Sequence, residues 1–188
     1  MIKGDKIMET GGTVTLNRKY VTIIVLVTAV AAIAYVLFAN VSVQRVGTDI
    51  GDAAPNYELP MYSGGTGSLT DYEGDVIVMN MWASWCEPCE EEIPALMDFS
   101  QSYKQKGVTV LTVNMDLKGS KDAAEEFVKN YNMTNTPAMR DADGEIDELY
   151  NINHLPTTYI INRDRTIVEK HAGPLTFEQL EEMVEENL

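Results

Sequence analysis

A chain of 188 residues holds one ordinary domain with room for an extra segment. Its formal charge is −15, from 29 Asp and Glu against 14 Lys and Arg. That balance argues against a nucleic-acid partner, because such binding rests on neutralising phosphates with basic side chains.

Residues 21–39 contain no charged side chain. At ~1.5 Å per residue they just cross a ~30 Å hydrocarbon core. A cleaved signal peptide is the competing reading. The stretch exceeds the ~7–15 residues of a signal core, and no A-x-A cleavage site follows. No cysteine follows that could carry a lipid. Lys3, Lys6, Arg18 and Lys19 precede the segment, and only Arg45 lies soon after it. The positive-inside rule therefore puts residues 1–20 in the cytoplasm as a tail and everything after residue 40 outside. Residues 40–53 are expected to be a linker, and residues 54–188 an extracytoplasmic domain.

Within that domain the run Ser63-Gly64-Gly65-Thr66-Gly67 punctuates a hairpin. Residues 76–81 form a near-continuous apolar strand, as a buried central strand should. A helix is predicted from about 87 to 106, stopped by Gly107, and Val108 to Asn114 reads as a second buried strand. Ser120 is expected to cap a helix running to about Tyr131. Residues 137–156 read as irregular, with short extended pieces and a turn at Asp141-Ala142-Asp143-Gly144. Thr157–Asn162 and Thr166–Lys170 form a hairpin, and Thr176 with Gln179 makes a capping box for a last helix. Helices alternating with strands describe an α/β sandwich.

Cys86 and Cys89 are the only cysteines and are separated by two residues, directly after the first buried strand. Thiols outside the cytoplasm tend to oxidise. A loop this small constrains the unfolded chain little, which favours a working couple over a structural disulfide. Cys86 falls at a helix mouth, where free backbone N–H groups stabilise a thiolate, so it is the expected nucleophile. Cys89, one turn inward, is the expected resolving thiol. Pro88 suits a first turn, where its missing N–H costs nothing. A zinc site needs two further ligands, and His154 and His171 are not spaced as a ligand pair, so no metal is expected.

Glu92 separates from its acidic neighbours by helical geometry. Counting ~100° per residue from Cys89, Glu90 and Glu91 point away, while Glu92 falls between Leu96 and Phe99. A carboxylate on that apolar face has its pKa raised and can accept and return the proton of Cys89. Asn80, on the apolar strand, reads as a buried hydrogen-bonded amide and Trp82 as core. Trp85, beside Cys86, is expected to wall a substrate groove. Between Arg45 and Lys104 there are eleven Asp and Glu and no Lys or Arg, which reads chiefly as a solvated, solubilising surface.

These residues resemble the thioredoxin superfamily, and more closely its membrane-anchored ResA/TlpA-like thiol–disulfide oxidoreductases. The likeness covers roughly residues 48–188. It runs through Gly51-Asp52-Ala53-Ala54-Pro55, Met79-Asn80-Met81-Trp82-Ala83-Ser84-Trp85-Cys86-Glu87-Pro88-Cys89, Pro94, Leu155-Pro156-Thr157-Thr158 and Gly173. The resemblance implies a thioredoxin-like fold with an N-terminal β-hairpin extension and an insertion before the cis-proline strand, preceded by one transmembrane helix. It implies that Pro156 is cis and opposes the cysteines, that Pro94 kinks the first helix, and that Glu87, Pro88, Leu155 and Thr157 help bind substrate. Asn80 stands where cytoplasmic relatives carry a buried acid, which leaves Glu92 as the proton carrier. No cofactor beyond the Cys86–Cys89 disulfide is implied. The implied partners are apocytochrome c, reduced before haem attachment, and a CcdA-type membrane protein that supplies electrons. Glu90-Glu91 stand where relatives often carry Lys, so the Cys86 thiol pKa is expected to fall less and the couple to be more reducing.

Three other readings compete. One is a StoA-like reductase of another extracytoplasmic protein. A peroxidase requires Pro-x-x-x-Thr-x-x-Cys, but Met79 and Ala83 hold those places. A copper chaperone would use wider cysteine spacing with a nearby His.

Overall fold

The structure, a computed structural model, describes residues 18–40, 44–117 and 120–188. They fall into two units, one ending at Val43 and one spanning Gln44–Leu188. In the first unit, helix α1 (Arg18–Asn40) extends the predicted span by about a turn at its N-terminal end. It is long and apolar enough to cross a membrane.

The second unit is built on five strands: β3 (Val76–Trp82), β4 (Val108–Asn114), β5 (Ala138–Arg140), β6 (Thr157–Ile161) and β7 (Ile167–Ala172), in the order β5-β4-β3-β6-β7. The β3–β4 and β4–β5 pairs are parallel; β3–β6 and β6–β7 are antiparallel. All seven residues of β3 are buried, because both faces of the sheet are covered. On one face Val76, Val78 and Trp82 pack with Ile93, Leu96 and Phe99 of α2 (Glu87–Tyr103), Phe127 of α3 (Lys121–Asn130), and Leu180 and Val184 of α5 (Phe177–Glu185). On the other, Ile77, Met79 and Met81 meet Leu59, from the hairpin β1 (Glu58–Pro60) and β2 (Thr66–Ser68), and Ile146 and Tyr150 of α4 (Glu145–Tyr150). Period-two alternation along β3 thus divides its side chains between two cores.

Most boundaries fall as expected. Helix α2 ends at Tyr103; a 3₁₀ turn over Lys104–Lys106 follows, and Gly107 takes φ +76° to close it. Inside α2, Pro94 has no amide to give the carbonyl of Glu90. The capping box is present, Thr176 Oγ1 accepting from Gln179 N and Gln179 Oε1 from Thr176 N.

Three expectations need correction. Residues 137–156 are not irregular: they hold the edge strand β5 and the helix α4. The supposed turn at 141–144 is a helix entry, where the buried Asp141 carboxylate accepts from the amides of Glu145, Ile146 and Asp147. Ser120 stands at the start of α3, but its side chain makes no capping hydrogen bond. The chain expected as a linker up to residue 53 belongs to the folded unit from Gln44 on. Ala53 N donates to Arg45 O, and the amides of Gly51 and Ala54 reach Ile167 O and Arg165 O on the β6–β7 hairpin.

Candidate functional site

The redox pair sits where β3 hands over to α2. Cys86 is the N-cap of α2, with extended backbone (φ −93°, ψ 99°), and Pro88 lies in the first turn. Cys86 Sγ accepts from Cys89 N at 3.3 Å, an amide of the first turn that also donates to Cys86 O at 3.1 Å, so the helix end presents an N–H to this sulfur. The two sulfurs are joined at 2.05 Å. Cys86 is 6% exposed and Cys89 fully buried.

Glu92 occupies the predicted place. Glu90 and Glu91 are exposed, while Glu92 is 3% exposed, one turn beyond Cys89 on the same helix. Its Oε1 accepts from Asn80 Nδ2 at 2.6 Å and its Oε2 from Leu175 N at 2.9 Å. Burial pushes its carboxyl up to about 7, against the opposing pull of those two donors. Asn80 Nδ2 also donates to Thr158 Oγ1 at 3.0 Å. The carboxylate therefore links α2, β3, β6 and the segment leading into α5.

Beside the cysteines lies a groove of about 680 Å³, walled by Trp85, Glu87, Pro88, Leu155, Met115 and His154 among others. Trp85 is 70% exposed, as a groove wall can be, whereas Trp82 is fully buried and stacks on Phe127 at 4.6 Å. The Leu155–Pro156 bond is cis. Pro156 and Thr157 are buried behind the groove and do not line it. Thr157 Oγ1 donates to His154 O at 2.7 Å, and Gly173 N donates to Pro156 O at 2.9 Å. No Lys or Arg lines the groove among the described residues.

One part of the site escaped sequence reasoning. Asp116, 1% exposed, accepts from Ser84 N at 3.2 Å and from Asn114 Nδ2 at 3.1 Å. Asn114 Oδ1 in turn accepts from Tyr62 OH at 3.1 Å. This chain of bonds holds the turn before Cys86 against the end of β4. The only sequence signal was a carboxylate two residues beyond a buried strand, which is too common to single out.

Thioredoxin-like α/β architecture with a Cys-x-x-Cys pair capping the helix after the central strand defines a thiol–disulfide oxidoreductase. Residues 50–170 match the AhpC/TSA family. The chain is 35% identical to the thiol-disulfide oxidoreductase ResA of Oceanobacillus iheyensis, over 84% of this chain and 82% of that one. It is 30% identical to ResA of Bacillus subtilis, over 85% and 88%. Among solved structures, StoA from Bacillus subtilis superposes with a TM-score of 0.60 at 30% identity, covering 70% of this chain and 98% of that one. A putative DsbE from Chlorobium tepidum gives 0.64 at 29%, covering 75% and 99%. The chain belongs to the AhpC/TSA family and, within it, to the ResA-like thiol–disulfide oxidoreductases.

Proposed function

We propose that this protein is anchored by α1 with its catalytic domain outside the cytoplasm and reduces protein disulfides there, apocytochrome c before haem attachment being its substrate. A CcdA-type membrane protein re-reduces it. The observation that carries a reductive role is Glu92, buried one turn behind the resolving Cys89 with its carboxyl near neutrality. The Cys86 thiolate attacks a substrate sulfur, forming a mixed disulfide and releasing one substrate thiolate, which takes a proton from water. Glu92 accepts the Cys89 proton. The Cys89 thiolate then attacks Cys86 Sγ, forming Cys86–Cys89 and releasing the second substrate thiolate, to which a proton returns. Two electrons pass from the cysteine pair to the substrate. Trp85, Glu87, Pro88 and Leu155 hold the substrate chain in the groove, where the Leu155 backbone pairs with it, and the buried Pro156 and Thr157 position that backbone. The disulfide is the redox group and no other cofactor takes part.

Replacing Cys89 by Ala in cells traps the substrate on Cys86. Apocytochrome c among the trapped species is the expected result. The likeness to StoA favours a second reading, a reductase of another envelope protein, and trapping of such a protein without apocytochrome c would establish it. Glu92→Gln should keep the fold and slow exchange; rates unchanged across pH would remove Glu92 from the mechanism.

A further inference from the structure

Near its start, the second unit shows two large apolar side chains to solvent. Val46 is 67% exposed and Ile50 64%. Among the described residues of this unit, the other large apolar side chains more than half exposed are Trp85 and Leu117, which line the redox groove. The loop that carries Val46 and Ile50 is tied down. Val46 forms an isolated bridge with Ala53, Gly47 N donates to Ala53 O at 3.1 Å, and Asp52 N donates to Asp49 O at 3.1 Å. The buried Asp52 carboxylate accepts from Asp49 N at 3.4 Å and lies 3.9 Å from Arg45 Nε. It fills the space beside Gly47, where a Cβ would stand 2.2 Å from Asp52 Oδ2. Exposed turns ordinarily carry Gly, Asn, Asp or Ser. A fixed turn that carries Val and Ile holds apolar surface ready for a partner.

The covalent chain says what that partner is. Helix α1 ends at Asn40 and the second unit begins at Gln44. Four Cα–Cα steps span at most about 15 Å, so the loop stays within short reach of the bilayer that holds α1. Charge adds a constraint. Residues 1–43 carry a net +2 of the total −15, which leaves −17 for the rest. A unit so acidic is repelled by anionic headgroups, so its contact with a membrane has to be apolar.

We propose that Val46 and Ile50 enter the headgroup–acyl boundary and dock the second unit on the bilayer surface. This rests on the reading of α1 as the membrane anchor and adds to it a lipid contact made by the catalytic unit itself. The docked end is the one remote from the redox centre. Gly51 N and Ala54 N donate to Ile167 O and Arg165 O, and Gln44 Nε2 donates to Thr166 Oγ1, all at the turn between β6 and β7. That turn follows Ile161, the partner of Ile77 near the start of β3, whereas Cys86 follows the end of β3 at Trp82. Six steps of about 3.3 Å along β3 separate the two ends by about 20 Å. Docking by this loop leaves the groove at Trp85 and Cys86 clear of the lipid and open to a polypeptide in the aqueous phase.

The test is NMR on the full-length, isotope-labelled, oxidised protein in phosphatidylcholine nanodiscs, one copy per disc, doped with a lipid that bears a nitroxide on its headgroup. The label should broaden the amides of residues 46–51 at least about threefold more than those of residues 85–87. The short chain alone would also keep the loop near the label, so Val46→Ser/Ile50→Ser tests the side chains. The double variant should cut the broadening at residues 46–51 about threefold, while added salt should leave the wild-type pattern unchanged. Both substitutions fall at exposed positions, so exchange with a small soluble disulfide should stay as in wild type. Equal broadening at the two ends, or broadening that the double variant keeps, overturns the docking. Broadening that appears only with two copies per disc assigns the pair to self-association and overturns it as well. A nitroxide on the acyl chain separates the two levels. If it leaves the amides of residues 22–35 untouched, the anchor reading fails and takes the docking with it. If it broadens them while residues 46–51 ignore the headgroup label, the anchor stands and the docking fails.

Discussion

The buried carboxyl of Glu92 makes a quantitative claim about stability. Its value rises from an ordinary 4.5 to about 7, and at ~1.4 kcal/mol per decade the ionised native form is disfavoured by about 3 kcal/mol. Because the folded value lies above the unfolded one, the native state binds more protons between pH 4.5 and 7. Stability contributed by this group is therefore complete below about pH 4.5 and is lost as pH rises through about 7. Roughly 2–3 kcal/mol of that loss falls between pH 5 and pH 8. Glu92→Gln removes the titration. Urea unfolding of the oxidised protein in mild detergent, read by tryptophan fluorescence at pH 5 and pH 8, gives the double difference free of other titrating groups. The variant should gain about 2–3 kcal/mol on wild type in going from pH 5 to pH 8, whatever its fixed offset from the altered hydrogen bonds. An equal difference at the two pH values would refute the raised carboxyl and the burial argument behind it.

Other outcomes follow from the same geometry. Asp116→Ala strips the acceptor from Ser84 N and Asn114 Nδ2; it should cost about 2–4 kcal/mol in urea unfolding and slow disulfide exchange by loosening the turn before Cys86. Asp141→Ala uncaps three amides of α4 and should lower stability by about 1–2 kcal/mol, with Asp141→Asn recovering part of it. Equilibration of the Cys86–Cys89 couple with glutathione should give a potential well below the ~−120 mV of a strong oxidant, since the acidic Glu87, Asp141 and Asp147 line the groove and disfavour a thiolate there.

The residues that carry the chemistry were legible because each sits on a strong local period. Glu92 could be told from Glu90 and Glu91 since one helix fixes its direction relative to Cys89, Leu96 and Phe99. The buried strand around Asn80 was legible from its apolar run, and the last helix from its capping box. What escaped depends on contacts between distant segments. The three residues of β5 hold their place through pairing with β4, which no local pattern announces. Asp141 looked like a turn residue because its role is defined by amides four to six positions ahead. Ser84 and Asp116 lie 32 residues apart, and only the parallel β3–β4 crossover brings them together.

Pro94 gives α2 a seam. The bond missing at the Glu90 carbonyl falls between the turns that carry Cys86, Cys89 and Glu92 and the turns anchored by Phe99, whose ring meets Phe177 of α5 at 5.6 Å. Native-state hydrogen exchange should therefore find the amides of α2 before Pro94 opening at lower cost than those after it.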